Sequence, residues 1–105
     1  IGPWLATADA IADPHELTLW LEVNGERLQD SRTSEMIFRI PRLISDLSRW
    51  MPLYPGDVIA TGTPPGVGMG LKPQRWLKDG DQVRAGIEGL GEQCHRCQPW
   101  VPQRL

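Results

Sequence analysis

The fold of this chain is decided at residues 17–25, which read LTLWLEVNG. Apolar and polar side chains alternate along this stretch, as they do in a strand with one buried face. The apolar face carries Leu17, Leu19, Leu21 and Val23. Asn24-Gly25 then predicts a tight type I′ turn, because both central positions of that turn need a positive φ. We therefore predict a β-hairpin whose return strand covers residues 26–29.

Apolar residues recur at helical spacing farther along the chain and predict a helix from Ile40 to Met51. Pro41 lies in the first turn of this helix, where proline is tolerated. Further strands are predicted at residues 4–7, 57–60, 82–87 and 92–95. We also expect a turn at residues 79–81, a single helical turn at residues 73–78 and an N-cap at Ser34. Together these elements predict an α+β, strand-rich fold with one main helix.

A loop rich in glycine and proline, residues 61–70 (TGTPPGVGMG), follows the predicted strand at residues 57–60. Glycine lets a ligand or another backbone approach closely, and proline fixes φ. A phosphate-binding P-loop is excluded, because Lys72 is followed by Pro73 and not by Ser or Thr. A dinucleotide fingerprint is excluded as well, since these glycines do not open a helix. Two interpretations stay open, a ligand-binding loop and a purely structural one.

Other candidate chemistry in the chain is incomplete. Cys94 and Cys97 form a single Cys-x-x-Cys pair around His95, whereas a structural zinc site needs four ligands. A redox pair would lie at a helix N-terminus, and no helix is predicted at these cysteines. We therefore interpret both cysteines as free thiols. The carboxylates include no Glu-x-Glu pair, and no Gly-x-Ser-x-Gly motif occurs. The residues alone therefore assign no catalytic side chain.

The polar cluster at residues 29–34, QDSRTS, also has two interpretations. It is either a solvated loop that caps the following segment or a loop that is ordered near a substrate. The sequence alone favours the first, because short polar side chains commonly cap helices and turns.

Composition narrows the class of protein. The chain has 105 residues, a net charge of −2 and a pI of about 5.6, which argues against a nucleic-acid surface. No apolar stretch is long enough to span a bilayer, and no signal peptide opens the chain. Two cysteines without a secretion signal favour a reducing compartment, so we predict a cytoplasmic protein. The apolar, proline-containing start at Ile1 indicates part of a longer protein.

Six motifs follow one another in order along the chain. They are Gly2-Pro3-Trp4, Asp13-Pro14, residues 17–25, residues 29–38, residues 53–68 and residues 77–81. In this order they resemble the C-terminal part of the fumarylacetoacetate hydrolase family, from Ile1 to about Gln93. The sequence at residues 2–5 and 66–73 is most similar to the branch that contains 2,4-diketo-3-deoxy-L-fuconate hydrolases and ureidoglycolate lyase-like proteins.

The resemblance implies a mixed β-sandwich or roll with short helices, incomplete at the N-terminus and usually present as a homodimer. It implies Mg²⁺ or Mn²⁺, hard cations that prefer oxygen ligands, bound to the keto acid end of a small substrate. We therefore expect a fragment of a metal-dependent hydrolase or lyase that hydrolyses a C–C bond of an acylpyruvate-type diketo or 2-keto acid, for example a 2,4-diketo-3-deoxy sugar acid. Decarboxylase, isomerase or ureidoglycolate lyase-type activity is the alternative within the family. The segment alone is expected to be inactive.

Two site residues are implied by the family's Thr-Gly-Thr motif. Thr63, its second threonine, is implied to contact the substrate carboxylate or keto oxygen, and Gly62 to permit close approach. The family's metal ligands, a Glu-x-Glu pair and an Asp, lie before the Gly-Pro motif together with a lysine, so they are expected upstream of Ile1. The resemblance assigns residues 1–93 to the catalytic domain and leaves residues 94–105 as a divergent or disordered tail.

A hypothesis of a different class is a non-catalytic, truncated paralogue that serves as a binding or dimerisation module. Exposed tryptophans would suit such a surface. The candidates are Trp20, Trp50, Trp76 and Trp100. A redox or zinc protein built on the two cysteines is a third hypothesis.

Overall fold

The computed structural model describes residues 1–101 and is organised around a four-stranded antiparallel sheet. The strands are β1 (Thr18–Val23), β2 (Glu26–Arg32), β3 (Gln82–Ile87) and β4 (Gly91–Arg96), in the spatial order β2-β1-β3-β4. The helices are α1 (Ile40–Leu47) and three single 3-10 turns at Ala8–Ala10, Thr33–Glu35 and Gly68–Gly70. The prediction of a strand-rich α+β fold with one main helix is confirmed.

The hairpin between β1 and β2 forms where the sequence predicts it. Asn24 and Gly25 have φ values of 53° and 81°, as a type I′ turn requires. The turn is also tied to β3, because the N–H of Asn24 donates to the carbonyl of Gln82 at 2.9 Å. In return, the N–H of Gln82 donates to Asn24 Oδ1 at 2.9 Å. Asn24 therefore sets both the turn and the pairing of β1 with β3.

Trp20 lies at the centre of the sheet and is half-buried, so it does not provide the exposed tryptophan that a binding surface would use. Its indole covers Gly86 on β3, where a Cβ atom would come within 2.8 Å of the ring. The guanidinium carbons of Arg27 and Arg84 lie 4.5 and 5.5 Å from the ring centroid. This cation–π arrangement holds the indole against the sheet. Glu22 pairs with both arginines, at 2.7 and 3.5 Å.

Helix α1 begins at Ile40 as predicted but ends at Leu47 and not at Met51. Pro41 occupies the first turn, and Pro52 beyond the helix disfavours helical φ and ψ at the residue before it. At the start of α1, the N–H of Ile40 donates to His15 Nε2 at 3.1 Å. This bond satisfies one of the free N–H groups at the helix N-terminus.

Several predicted elements differ in the structure. Residues 4–7 and 57–60 are not strands, because no strand in the described part of the chain lies beside them to pair with their backbone groups. Residues 73–78 lack the helical turn. Ser34 lies inside a 3-10 turn whose N-cap position is Arg32, so it is not an N-cap. β2 runs three residues beyond its predicted end at Gln29.

The remaining predicted strands are confirmed. β3 covers residues 82–87, and β4 includes residues 92–95. The turn predicted at residues 79–81 lies directly before β3. β4 continues to Arg96, so it passes the domain boundary expected at Gln93. That boundary stays a prediction, and residues 102–105 of the expected tail lie outside the described residues.

Burial is concentrated at the hairpin. In residues 1–101 the buried apolar side chain is Val23, and the buried polar side chains are Gln29 and Ser31. By contrast, the side chains of Trp50, Trp76 and Trp100 are exposed. Two buried polar side chains on one strand are unusual, so the face of β2 that carries them is a candidate functional surface.

None of the helices in the described part of the chain combines the length and the apolar character that crossing a membrane would take.

Candidate functional site

The glycine- and proline-rich loop packs directly onto β2. Gly66, with a φ of 107°, lies so close to β2 that an added Cβ atom would overlap the carbonyl group of Leu28 and come within 3.1 Å of Gln29 Cγ. Only glycine fits this approach, since it tolerates positive φ and has no side chain. The contact holds the preceding Thr-Gly-Thr-Pro segment beside Gln29.

Gln29 connects the strand to the loop through its side-chain amide. Gln29 Nε2 donates to Thr63 Oγ1 at 2.9 Å and to the carbonyl oxygen of Pro64 at 2.8 Å. The side chain is only 8% exposed, so these bonds replace the water that the amide loses on burial. Thr63 is thereby held in one place by a buried group.

Two clefts meet at this loop. One has a volume of about 520 Å³ and is bordered by Ser31, Glu35, Phe38 and Leu43, among others. The other has a volume of about 420 Å³ and is bordered by Trp4, Trp20, Gln29 and Gln93, among others. The residues common to both are Leu19, Gly62, Thr63, Pro64 and Ile87. Thr63 and Gly62 therefore lie in a wall that a ligand can reach from two sides.

Gly62 has a φ of 102°, and a Cβ atom built on it would meet no other atom within 4 Å. Its backbone conformation therefore needs glycine, while the space beside it is free. The backbone at Gly62 is therefore open to contact by a ligand atom.

A second polar group borders the larger cleft. Ser31 Oγ donates to Glu35 Oε2 at 2.5 Å, and Thr33 Oγ1 accepts the N–H of Leu17 at 2.9 Å. These bonds order the chain between β2 and α1 into the wall of the cleft. Gln29, Ser31, Arg32 and Thr33 of the polar cluster therefore border the clefts, whereas Asp30 and Ser34 do not.

Gln29 has no role of its own in the sequence-based prediction, which treats residues 29–34 as one polar cluster. A signal for it exists: Gln29, Ser31 and Thr33 recur at every second position, so they share one side of an extended strand. A polar side chain at each of these positions suggests a face that binds something other than an apolar core. Ser31 and Thr33 lie beyond the predicted strand, because the sequence predicts the end of β2 at Gln29.

The described residues do not assemble a metal site. No three His, Cys, Asp or Glu side chains come together in residues 1–101. Cys94 and Cys97 are free thiols, and Cys94 Sγ accepts a hydrogen bond from Gln82 Nε2 at 3.3 Å. His95 contacts Gln93 at 3.1 Å. The donor set in this part of the chain does not fit a Mg²⁺ or Mn²⁺ ion, which prefers several oxygen ligands.

Three exposed carboxyls have a lowered pKa, and all three lie outside both clefts. In each, hydrogen bonds favour the charged form. The largest contribution to the lowered pKa comes from the Thr7 hydroxyl for Asp9, from the His15 backbone N–H for Asp13 and from the Asn24 side-chain amide for Asp81. These carboxylates stabilise turns and strand pairing.

The chain resembles curated proteins over most of its own length. It is 58% identical over 97 residues to a protein of Burkholderia cenocepacia (strain HI2424) that carries the provisional name of a hydrolase. The match covers 91% of this chain and 34% of that protein. The chain thus spans about a third of the length of the curated relatives it matches.

Solved structures share the fold. The maleylpyruvate hydrolase of Sphingobium sp. SYK-6, in complex with manganese(II) and pyruvate, matches with a TM-score of 0.82 and 42% identity, over 90% of this chain and 33% of that one. The 2-hydroxyhepta-2,4-diene-1,7-dioate isomerase of Mycobacterium marinum matches with a TM-score of 0.75 and 43% identity, over 89% of this chain and 33% of that one. The family model described as fumarylacetoacetate (FAA) hydrolase C-terminal matches residues 1–98. The chain therefore belongs to the fumarylacetoacetate hydrolase family.

Proposed function

We propose that this chain is the acid-binding part of a hydrolase that acts on diketo or 2-keto acids. The reaction is hydrolysis of the C–C bond of an acylpyruvate-type substrate, such as a 2,4-diketo-3-deoxy sugar acid. The observation that carries the proposal is the Thr63 hydroxyl, held by the buried Gln29 in the wall shared by two clefts. A fixed donor beside open space is what recognition of a small anion needs.

The chemistry assigned to this chain is binding and orientation. Thr63 donates its hydroxyl hydrogen to the carboxylate or keto oxygen of the substrate. Gly62 leaves room for that oxygen next to the backbone. The two clefts then accommodate the two ends of the substrate on either side of the loop.

A divalent cation, Mg²⁺ or Mn²⁺, would be held by residues outside this chain, because the described residues do not form a ligand set. Support for a metal comes from the relative whose structure contains manganese. No step assigned to Thr63 or Gly62 depends on it.

Hydrolysis is favoured over isomerisation by the names of the relatives. The curated protein named a hydrolase is 58% identical to this chain, whereas the isomerase from M. marinum is 43% identical. Decarboxylase and ureidoglycolate lyase-type activities are further alternatives within the family. Product analysis distinguishes them, because only hydrolysis of an acylpyruvate releases pyruvate and a second carboxylic acid.

The test replaces the hydroxyl in the complete protein that contains this chain. Thr63→Val keeps the shape but removes the donor, and Thr63→Ser keeps the donor. For hydrolysis of acetylpyruvate we expect Thr63→Val to lower kcat/KM by about 10- to 100-fold, as for loss of a hydrogen bond to a charged group. Thr63→Ser should lose much less. Wild-type kcat/KM in Thr63→Val would contradict the proposal.

A second candidate function is a binding or homodimerisation module without catalysis. It is favoured by the exposed side chains of Trp50, Trp76 and Trp100, which are 85, 58 and 84% exposed. Analytical ultracentrifugation of the complete protein, together with the acetylpyruvate assay, separates the two functions. A dimer without activity supports the module, and an active protein supports the enzyme.

A further inference from the structure

Gln29 is a buried polar residue whose side-chain hydrogen bonds to the loop are both made by the same atom. Its amide nitrogen carries two hydrogens, and both have an acceptor. One is Thr63 Oγ1 at 2.9 Å, and the other is the carbonyl oxygen of Pro64 at 2.8 Å. The side chain reaches both from β2, where the close contact of Gly66 with Leu28 keeps the loop in place.

The direction of these bonds follows from the acceptor at Pro64. A backbone carbonyl can only accept, so the Gln29 atom that faces it must be the amide nitrogen. The same nitrogen faces Thr63 Oγ1, so the Thr63 oxygen accepts. A hydroxyl has a single hydrogen, and this one must point away from Gln29. No acceptor within residues 1–101 takes it, since the Thr63 hydroxyl bonds there only to Gln29.

We propose that Gln29 is a positioning residue that fixes the Thr63 hydroxyl as a hydrogen-bond donor toward the clefts. It thereby favours ligands that present a carboxylate or keto oxygen at this point. The inference rests on the proposed function, in which Thr63 binds the acid end of the substrate. Gln29 itself need not touch the ligand, because it acts through the orientation of the Thr63 hydrogen.

Two substitutions separate this role from simple packing. Gln29→Met has a similar length but no donor, so it leaves the Thr63 hydroxyl free to rotate. Gln29→Glu has nearly the same shape but introduces an acceptor, which draws the Thr63 hydrogen away from the ligand. The introduced carboxylate also repels an anion. On protonation this carboxyl becomes a donor again, so lowering the pH should restore part of the lost affinity.

The experiment measures the dissociation constant of pyruvate by isothermal titration to the complete protein in the presence of Mn²⁺. We expect Gln29→Met to weaken pyruvate binding about tenfold, and Gln29→Glu to weaken it more at neutral pH. Gln29→Met should have little further effect in a Thr63→Val background, because the hydrogen that it orients is already absent. Asp30→Asn is the matched control, since Asp30 is exposed and lies next to Gln29 on β2. Thermal unfolding of each variant reports whether the fold is kept.

Each outcome has a distinct meaning. If wild type fails to bind pyruvate, or Thr63→Val binds it normally, the proposed function is wrong and the role of Gln29 falls with it. If Thr63→Val weakens binding but Gln29→Met and Gln29→Glu do not, the function stands and the positioning role is wrong. If Gln29→Met weakens pyruvate binding equally in the wild-type and Thr63→Val backgrounds, its effect is one of packing. That result would also overturn the inference. Partial recovery of Gln29→Glu at low pH, absent in Gln29→Met, supports it.

Discussion

Replacing Gly66 with alanine tests how the loop is attached to β2, and Gly62→Ala is its matched control. Gly66 and Gly62 have nearly the same φ, 107° and 102°, so both substitutions place a side chain in the same disfavoured region. This strain costs about 1–3 kcal/mol in either variant. The neighbourhoods differ, because a Cβ on Gly62 meets nothing within 4 Å whereas one on Gly66 overlaps the Leu28 carbonyl.

The additional cost of Gly66→Ala follows from what must move. The Leu28 carbonyl lies at a bulge in β2, but Arg27 and Gln29 on either side of it pair with Glu22 and Leu21 of β1. Because this pairing holds the strand, we expect the loop to shift. A shift of the loop stretches the two bonds from Gln29 to Thr63 and Pro64. At about 0.5–1.5 kcal/mol for each net hydrogen bond, the loss is about 1–3 kcal/mol. We therefore expect Gly66→Ala to destabilise the protein by that amount beyond Gly62→Ala.

The assay is urea unfolding of the complete protein, followed by tryptophan fluorescence, with wild type and both variants compared at the same pH. The free energy of unfolding should fall in the order wild type, Gly62→Ala, Gly66→Ala. Equal values for the two variants would refute the reasoning, since it would mean that the overlap with Leu28 is relieved without breaking the contacts of Gln29.

Three further predictions concern other parts of the chain. His15→Ala should destabilise α1 by about 1 kcal/mol, since the Ile40 N–H loses its acceptor; faster amide exchange at the start of α1 would show this, and unchanged exchange would contradict it. The pKa of Asp81 is lowered first by the Asn24 amide and then by the Lys78 N–H, so its contribution to stability is present above the usual carboxyl range and is lost as pH falls through the folded pKa. Unfolding free energies of wild type and Asp81→Asn should therefore converge on acidification, and a constant gap would contradict this. Titration of MgCl₂ into residues 1–105 alone should show no tight binding, because no ligand set forms in the described residues; tight binding would refute that reasoning.

Much of the fold could be predicted because its signals are local. The alternation before Asn24-Gly25 encodes a strand and a turn within nine residues, and both form. The ends of β3 agree with the prediction, because turn residues precede the strand and its apolar residues alternate. The beginning of α1 followed from Pro41 and apolar spacing.

The errors in the predicted strands have one physical origin, which is pairing. Residues 57–60 have the composition of a strand but no partner strand in the described part of the chain. β2 continues past Gln29 because Asp30, Ser31 and Arg32 pair with Trp20, Leu19 and Thr18 of β1. Local propensity does not contain this information, because a polar segment forms a strand only when an adjacent strand pairs with its backbone groups.

The sequence by itself determined the family and the hairpin and led to Thr63 as the predicted site residue, because these depend on motifs and turn chemistry that are local. Only the tertiary structure decided that Gln29 holds Thr63, which lies 34 residues farther along the chain. That contact requires β2 to extend, its polar face to turn toward the loop and Gly66 to let the two backbones meet. Each condition depends on packing between distant segments, and the direction of the Thr63 hydrogen follows from all three.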